Sequence, residues 1–279
     1  MPKILSIQDL SCYGQCSNSV ALPILSTFGI ETIILPTMIL STHTGGFKNI
    51  YIQDLSESID KICQSWQDNN ISFDAIYIGY LGSTKLIEKT ITIIKLFKKR
   101  NTLVFFTPAC ADNGKLYQGF NDNYLEKLRS LCFYADYIVA NVTEAFLLMN
   151  CEYQTINHPN RIYELIHELT KKFLTNMIIT GIEMNKDEIY VLFKQYHSHQ
   201  ITSFKEQKIN GNYHGTGDIF LSYMIGKYFI SHEMNISIQE AMKFVKDAIV
   251  LTKEDTNHSY GIKFEKVLRG FYEKANQSK

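Results

Sequence analysis

Short β-branched apolar runs alternate with longer amphipathic stretches along nearly the whole 279-residue chain, and that alternation decides what it can fold into. Lys3–Ile7, Glu31–Leu35, Ala75–Ile78, Thr102–Phe106, Asp136–Val139 and Met177–Thr180 read as strands. Between them the spacing predicts helices over Asn18–Phe28, closed by Gly29, and over Asp54–Asp68, Thr84–Lys99, Tyr124–Leu131, Thr143–Met149 and Arg161–Phe173. In Asp54–Asp68 the residues Leu55, Ile59, Ile62, Cys63 and Trp66 share one helical face. A strand–helix–strand rhythm of this kind builds an α/β domain: a mostly parallel central sheet with helices on both faces. The rhythm changes near Glu188–Phe204 to a hairpin, and three helices follow over Asp218–Tyr228, Ile238–Leu251 and Ile262–Lys274. No repeat or linker interrupts it, so residues 1–279 read as a single domain. The polar, glycine-containing stretch 41–51 reads as a flap.

Composition narrows the partners. Lys and Arg together number 28, as do Asp and Glu, so no net charge draws the chain to nucleic acid or to an anionic membrane. Hydrophobic residues are 45% of the chain, enough for a large core. No apolar run approaches the length that spans a bilayer, and Gln8 and Asp9 follow the first strand too soon for a signal peptide, so the chain reads as cytoplasmic. The six cysteines are scattered, as free thiols in a reducing compartment are. Cys12 and Cys16 have a loosely metal-like spacing, but no second Cys/His pair completes a zinc site.

In an open parallel sheet, ligands bind at the carboxyl ends of the strands, and the polar motifs cluster there. The sharpest is His214-Gly215-Thr216-Gly217-Asp218, at the head of an apolar helical pattern. Glycines there let backbone N–H groups converge at a helix start, which makes a cradle for an anion. A plain glycine turn, with Asp218 as a first-turn carboxylate, would explain the same residues. Neither the Walker A pattern nor G-x-G-x-x-G occurs anywhere. Asp112-Asn113-Gly114 and Asn141-Val142-Thr143-Glu144 each bring a carboxylate to a strand end, where two such groups beside phosphates suit Mg²⁺ held partly through water. Asn141 and Glu144 also have capping-box spacing, and both roles can hold at once. Ser6–Ser17, Ser41–Thr44 and Gly79–Gly82 could line a pocket or simply connect elements. His197 and His199 fall in the predicted hairpin as exposed residues.

Taken in order, these segments resemble the pyridoxal/pyridoxamine kinases of the ribokinase superfamily, in wording closest to the bacterial pyridoxamine-kinase-like branch. The matching segments are Ser6-Ile7-Gln8-Asp9, Leu35–Thr37 with Leu40–Phe47, Gly79–Ser83, Asp112–Tyr117, Asn141-x-Thr143-Glu144 and Tyr213–Asp218. The resemblance implies a ribokinase-like fold and ATP-dependent phosphorylation of the hydroxymethyl group of pyridoxal, pyridoxamine or pyridoxine. It implies Asp218 as general base and Gly215, Thr216 and Gly217 as the anion hole. Asn141 and Thr180 would lie near the nucleotide phosphates, and Asp112 and Glu144 around Mg²⁺. Asp9, His43, Thr44 and Tyr80 would hold the pyridine ring. ATP and Mg²⁺ are the implied cofactors and a homodimer the implied assembly.

One departure stands out: Thr107-Pro108 occupies the place where that family usually has Asp-Pro. A hydroxyl is a weaker Mg²⁺ ligand than a carboxylate. Two other readings follow. One is a kinase for another hydroxymethyl acceptor, such as hydroxymethylpyrimidine; the other is a catalytically weak B6-binding or regulatory protein.

Overall fold

A computed structural model describes residues 1–151, 153, 159–211, 213–255, 258 and 260–277. The strands are β1 (Lys3–Ser11), β2 (Glu31–Leu40), β3 (Ile52–Asp54), β4 (Ala75–Ile78), β5 (Leu103–Phe106), β6 (Ala111–Asp112), β7 (Lys115–Leu116), β8 (Tyr137–Asn141), β9 (Asn176–Ile182), β10 (Glu188–Lys194) and β11 (Ile201–Gln207). The helices are α1 (Asn18–Thr27), α2 (Ser56–Asp68), α3 (Thr84–Phe97), α4 (Asp122–Cys132), α5 (Val142–Leu148), α6 (Pro159–Phe173), α7 (Thr216–Ser231), α8 (Met234–Thr252) and α9 (Phe264–Gln277).

Nine strands form one sheet in the order β11-β10-β9-β8-β5-β4-β1-β2-β3. The run from β2 to β9 is parallel throughout, while β3, β10 and β11 are antiparallel edges. Alternation along each central strand sorts the core into two layers, as a period of two requires. Leu5, Ile7, Ile76, Ile78, Val104, Phe106, Ile138 and Met177 face α2 to α6. Ile4, Ala75, Tyr77, Phe105, Tyr137 and Ile178 face α1, α7 and α8. Because parallel strands are buried on both sides, they read in sequence as unbroken apolar runs, which is why they were legible.

Three features differ from the sequence expectation. β2 runs to Leu40 instead of stopping at Leu35, passing straight through Pro36. Pro36 sits opposite Gln8, where the β1–β2 register shifts between Gln8 and Leu10, and a bulge is one of the few places a sheet accepts proline. The chain after β2 returns as β3, so residues 41–51 connect two antiparallel strands. Asp112–Lys115 forms the tip of the small β6–β7 hairpin, with Asn113 at φ 50° and Gly114 at φ 75°. Asn-Gly is the sequence such a turn prefers, because both central residues must take positive φ.

The α1–α7 contact on the second face is tight at Gly226. A Cβ there would lie 2.3 Å from Cδ2 of Phe28, whose ring stands edge-on to Tyr223. Helix propensity alone favours alanine over glycine by about 1 kcal/mol. Overpacking a filled interface costs about 1–3 kcal/mol. Gly226→Ala is therefore expected to lower the unfolding free energy by ~1 kcal/mol, measured by urea denaturation; a more stable variant would show that Phe28 moves aside freely.

Candidate active site

The carboxyl ends of β1, β4, β5, β8 and β9 open on one side of the sheet, and the start of α7 comes to meet them. The join is specific. Asp218, in the first turn of α7, accepts a hydrogen bond of 2.7 Å from the backbone N–H of Ser17, just beyond β1. Gly215 lies so close to that loop that a Cβ would sit 2.0 Å from the Gln15 carbonyl oxygen, and its φ of 78° is left-handed. Glycine at 215 satisfies both demands at once. It has no side chain with which to cap the first amides of α7, so those N–H groups keep their affinity for an external anion.

Burial pushes the Asp218 carboxyl up to about 6, the nearby Asp9 charge adds to the rise, and only the Ser17 amide opposes it. A carboxylate with that value is ionised at neutral pH yet basic enough to take a proton from a hydroxyl. Asp9 lies within the β1 bulge and is 3% exposed. Its Oδ2 accepts from the Ser11 hydroxyl at 2.9 Å, and burial pushes its carboxyl upward against that bond and the Ser17 hydroxyl. Tyr80, just beyond β4, is pushed up to about 12 by burial and by the charge of Asp9. Its ring leans toward Phe120 at 5.8 Å between centroids.

His43 is buried and committed at both nitrogens. Nδ1 accepts from the Gly45 N–H at 3.1 Å, which leaves the proton on Nε2, and Nε2 donates to the Tyr260 carbonyl at 3.0 Å. Burial lowers its basicity, consistent with a neutral ring. The ring stands edge-on to Phe47 at 4.9 Å and lies 5.3 Å from His214. What His43 can offer a ligand is therefore ring surface. Thr44 is exposed on the same connection.

The far side of the site is tethered by α5. Asn141 caps that helix, its Oδ1 accepting from Glu144 N–H at 2.9 Å, while its Nδ2 donates to the Ala111 carbonyl at 2.7 Å. Glu144 completes the capping box from Asn141 N–H at 2.9 Å and also accepts the amides of Cys110, at 3.0 Å, and Ala111. Burial raises its carboxyl to about 7 in spite of these donors. Gly114 N–H donates to the Thr143 hydroxyl at 2.9 Å. Asn141, Thr143 and Glu144 thus hold the β6–β7 hairpin, and Asp112 at its tip stays exposed, hydrogen-bonded to Asn113. Thr180, at the end of β9, is half-buried, its hydroxyl 3.5 Å from the Ala140 carbonyl. Thr107 is half-buried at the end of β5, its N–H bonded to the Ile78 carbonyl at 3.0 Å.

Sequence reasoning named the segments Ser6–Ser17 and Asp112–Tyr117 but gave no role to several residues within them, and it did not name Tyr260. Ser17 orients Asp218. Tyr117 lies between the two sides, within range of the charges of Glu144, Asp112 and Asp218. Tyr260 and Gln15 form a roof: Gln15 N–H donates to the Tyr260 carbonyl at 3.1 Å, and Tyr13 packs on Tyr260 with centroids 4.8 Å apart. Cys12 is exposed and Cys16 half-buried, and among the described residues no three His, Cys, Asp or Glu side chains gather as a metal cage.

Known proteins similar to this chain carry two kinase names. The family model described as phosphomethylpyrimidine kinase matches residues 22–263. A Bacteroides thetaiotaomicron protein assigned to the phosphomethylpyrimidine kinases, in a crystal form with pyridoxal, superposes with a TM-score of 0.91 at 30% identity, over 96% of this chain and 95% of that one. Pyridoxal kinase from Lactobacillus plantarum superposes with a TM-score of 0.88 at 27% identity, over 97% and 96%. In sequence, the pyridoxal kinase of Dictyostelium discoideum is 26% identical over 240 residues, 81% of this chain and 78% of that protein.

The two glycines of the α7 cradle should respond differently to a methyl group. Gly215→Ala meets the Gln15 backbone in a left-handed conformation and is expected to cost about 1–3 kcal/mol. A Cβ at Gly217 meets nothing within 4 Å, so Gly217→Ala should stay within about 0.5 kcal/mol of wild type. Equal melting temperatures for the two variants would contradict the close approach at Gly215.

Proposed function

The chain belongs to the phosphomethylpyrimidine kinase family and has the ribokinase-like fold of the pyridoxal kinases, and we propose that it transfers the γ-phosphoryl group of ATP to the 5′-hydroxymethyl group of pyridoxal, pyridoxamine or pyridoxine. The observation that carries the reading is Asp218, held by Ser17 N–H at 2.7 Å beside the uncapped start of α7. A base and an anion site lie side by side, and phosphoryl transfer needs little else than positioning and charge stabilisation. Asp218 takes the proton of the attacking hydroxyl. The amides around Thr216 and Gly217 stabilise the charge on the moving phosphoryl group. Asp9 and Tyr80 hold the polar edge and a face of the acceptor ring, with His43 and Thr44 on the 41–51 flap above it. Asn141 acts on the nucleotide side through the hairpin it tethers, and Thr180 lines the same side.

Mg²⁺ would fit this donor set, in which an exposed carboxylate could reach the ion directly or through water, and when bound it would neutralise charge on the transferred group. Asp112, exposed at its hairpin tip, is the carboxylate free to face it. Glu144 is occupied by three backbone amides and serves by fixing that hairpin. On this reading residues 1–279 work as one domain, in the cytoplasm and as a homodimer, whose mass light scattering would test. The family model's own name keeps hydroxymethylpyrimidine as the second acceptor to examine. An ADP-release assay with the three B6 vitamers and hydroxymethylpyrimidine decides it. Turnover of the pyrimidine alone would overturn the B6 assignment, and no turnover of any of the four would overturn the kinase reading.

Two variants extend the test. Asp218→Asn is expected to lower kcat by about 10²-fold or more. It should also unfold at a higher temperature than wild type at pH 8. The folded-state value of about 6 lies above the unfolded one, so the ionised carboxylate opposes folding once the pH rises through 6, and the variant escapes that penalty. The difference should vanish below about pH 4, where the acid is neutral in both states. A variant that is both active and no more stable would remove Asp218 from the chemistry.

Thr107→Asp adds a carboxylate at the end of β5 and is expected to lower the Mg²⁺ concentration giving half-maximal rate. Superimposable Mg²⁺ titrations from a folded variant would show that position 107 does not sense the ion.

A further inference from the structure

At the end of the sheet opposite the start of α7, the β10–β11 turn and α6 line an open pocket of about 160 Å³. Its lining is His167, Thr170, Lys171, Lys194 and the turn residues 196–199, which include His197 and His199. β10 runs antiparallel to β9, and Lys194 pairs with Met177 near the start of β9, so the cavity lies at the amino ends of the parallel strands. That is the pole opposite the active site.

The lining is one-sided in charge. It holds two lysines and three histidines and no carboxylate. In a chain with equal numbers of acidic and basic residues, no Asp or Glu occurs between Glu168 and Glu183, or between Glu188 and Glu206. The acids of α6 nearest to His167 are Glu164 and Glu168, and both are paired with Arg161, at 3.5 Å and 3.3 Å. Lys205 of β11 is paired with Glu188 at the far end of the hairpin.

Lys194 makes the imbalance consequential. It is 3% exposed, and among the described residues its ammonium donates to a single acceptor, the Ser198 carbonyl. A lysine has three N–H donors, and a buried charge without a counter-ion is costly. Exposed Lys171, His167, His197 and His199 ring the opening. An ammonium at the floor and imidazoles at the rim are the donors a tetrahedral oxyanion takes.

We propose that this cavity is a second anion site, built for a phosphate dianion, either free or carried as the monoester of a small molecule. Lys194 supplies the fixed charge and the histidine rings supply donors around it.

The test follows the histidine ring signals of the full chain by NMR while inorganic phosphate, or glycerol 3-phosphate in a second arm, is added against constant ionic strength. The rings of His167, His197 and His199 are expected to shift with a dissociation constant of about 1 mM or below. Occupancy of the α7 cradle is read separately from His214. Lys194→Met should weaken binding about tenfold or more, and Lys171→Gln, an exposed change, by a smaller factor. A response at lower concentration of the ester identifies a phosphorylated small molecule as the ligand, and an equal or better response to phosphate identifies the free ion. If the three rings stay fixed in both arms up to about 50 mM, or shift equally in wild type and both variants, the proposal is wrong.

Discussion

The site depends on one contact between segments 201 residues apart, the Ser17 N–H on Asp218. It joins the end of β1 to the beginning of α7, so the anion cradle and the acceptor pocket form together or not at all. The close approach of Gly215 to the Gln15 carbonyl reinforces it sterically. The contact also sets the electrostatics. The loop that orients Asp218 also partly shields it from water, which lifts its basicity to about 6. A freely solvated aspartate would be a far weaker base.

Beneath this contact the core is not purely apolar. Ser6, Gln8 and Asn18 are fully buried and bonded to each other: Gln8 Nε2 to Ser6 Oγ at 2.8 Å, Ser6 Oγ to Asn18 Oδ1 at 2.7 Å, and Asn18 Nδ2 to the Gln8 carbonyl at 2.8 Å. Asn18 opens α1, so the net fixes that helix to β1 just below Asp9. Gln8 also explains Gly79, since a Cβ there would lie 2.2 Å from the Gln8 Oε1. The turn carrying Tyr80 can thus lie flat on β1. The three bonds hold one arrangement, and among the described residues the Gln8 Oε1 is the member of the net left without a partner.

The sequence made the sheet legible because parallel strands buried on both faces are apolar at every position, and the helices between them carry a stripe of their own. Ala75–Ile78 is the clearest case, identical in both readings. β3 was invisible because its three residues are exposed and polar in part, so no period marks them. The β1 bulge left no trace either, although it is what aims Asp9. The β6–β7 hairpin was legible in principle through Asn113-Gly114 but was overlooked, since Asp112 drew attention as a carboxylate. Motif spacing located the strand-end groups. It could not say that Glu144 and both nitrogens of His43 are engaged by backbone, because hydrogen-bond commitments form only when distant segments meet.

That commitment changes the charge balance of the site. Counted from the sequence, Asp9, Asp112, Glu144 and Asp218 bring four negative charges to a place meant for phosphates. Burial pushes Asp9 upward, Asp218 to about 6 and Glu144 to about 7, so each is easier to neutralise than the count implies. The backbone amides on Glu144 and the Ser17 N–H on Asp218 spread what charge remains. An exposed carboxylate escapes this treatment, and Asp112 is the exposed one. In the proposed reaction, repulsion toward the nucleotide would therefore concentrate at the hairpin tip, where a magnesium ion would offset it. Thr107 fits the same logic. It leaves the end of β5 uncharged, so fewer negative groups need offsetting, and a magnesium ion bound there would have fewer protein oxygens to hold it. On the proposed function, metal affinity and nucleotide repulsion would fall together at that position, which would make a hydroxyl compatible with phosphoryl transfer there.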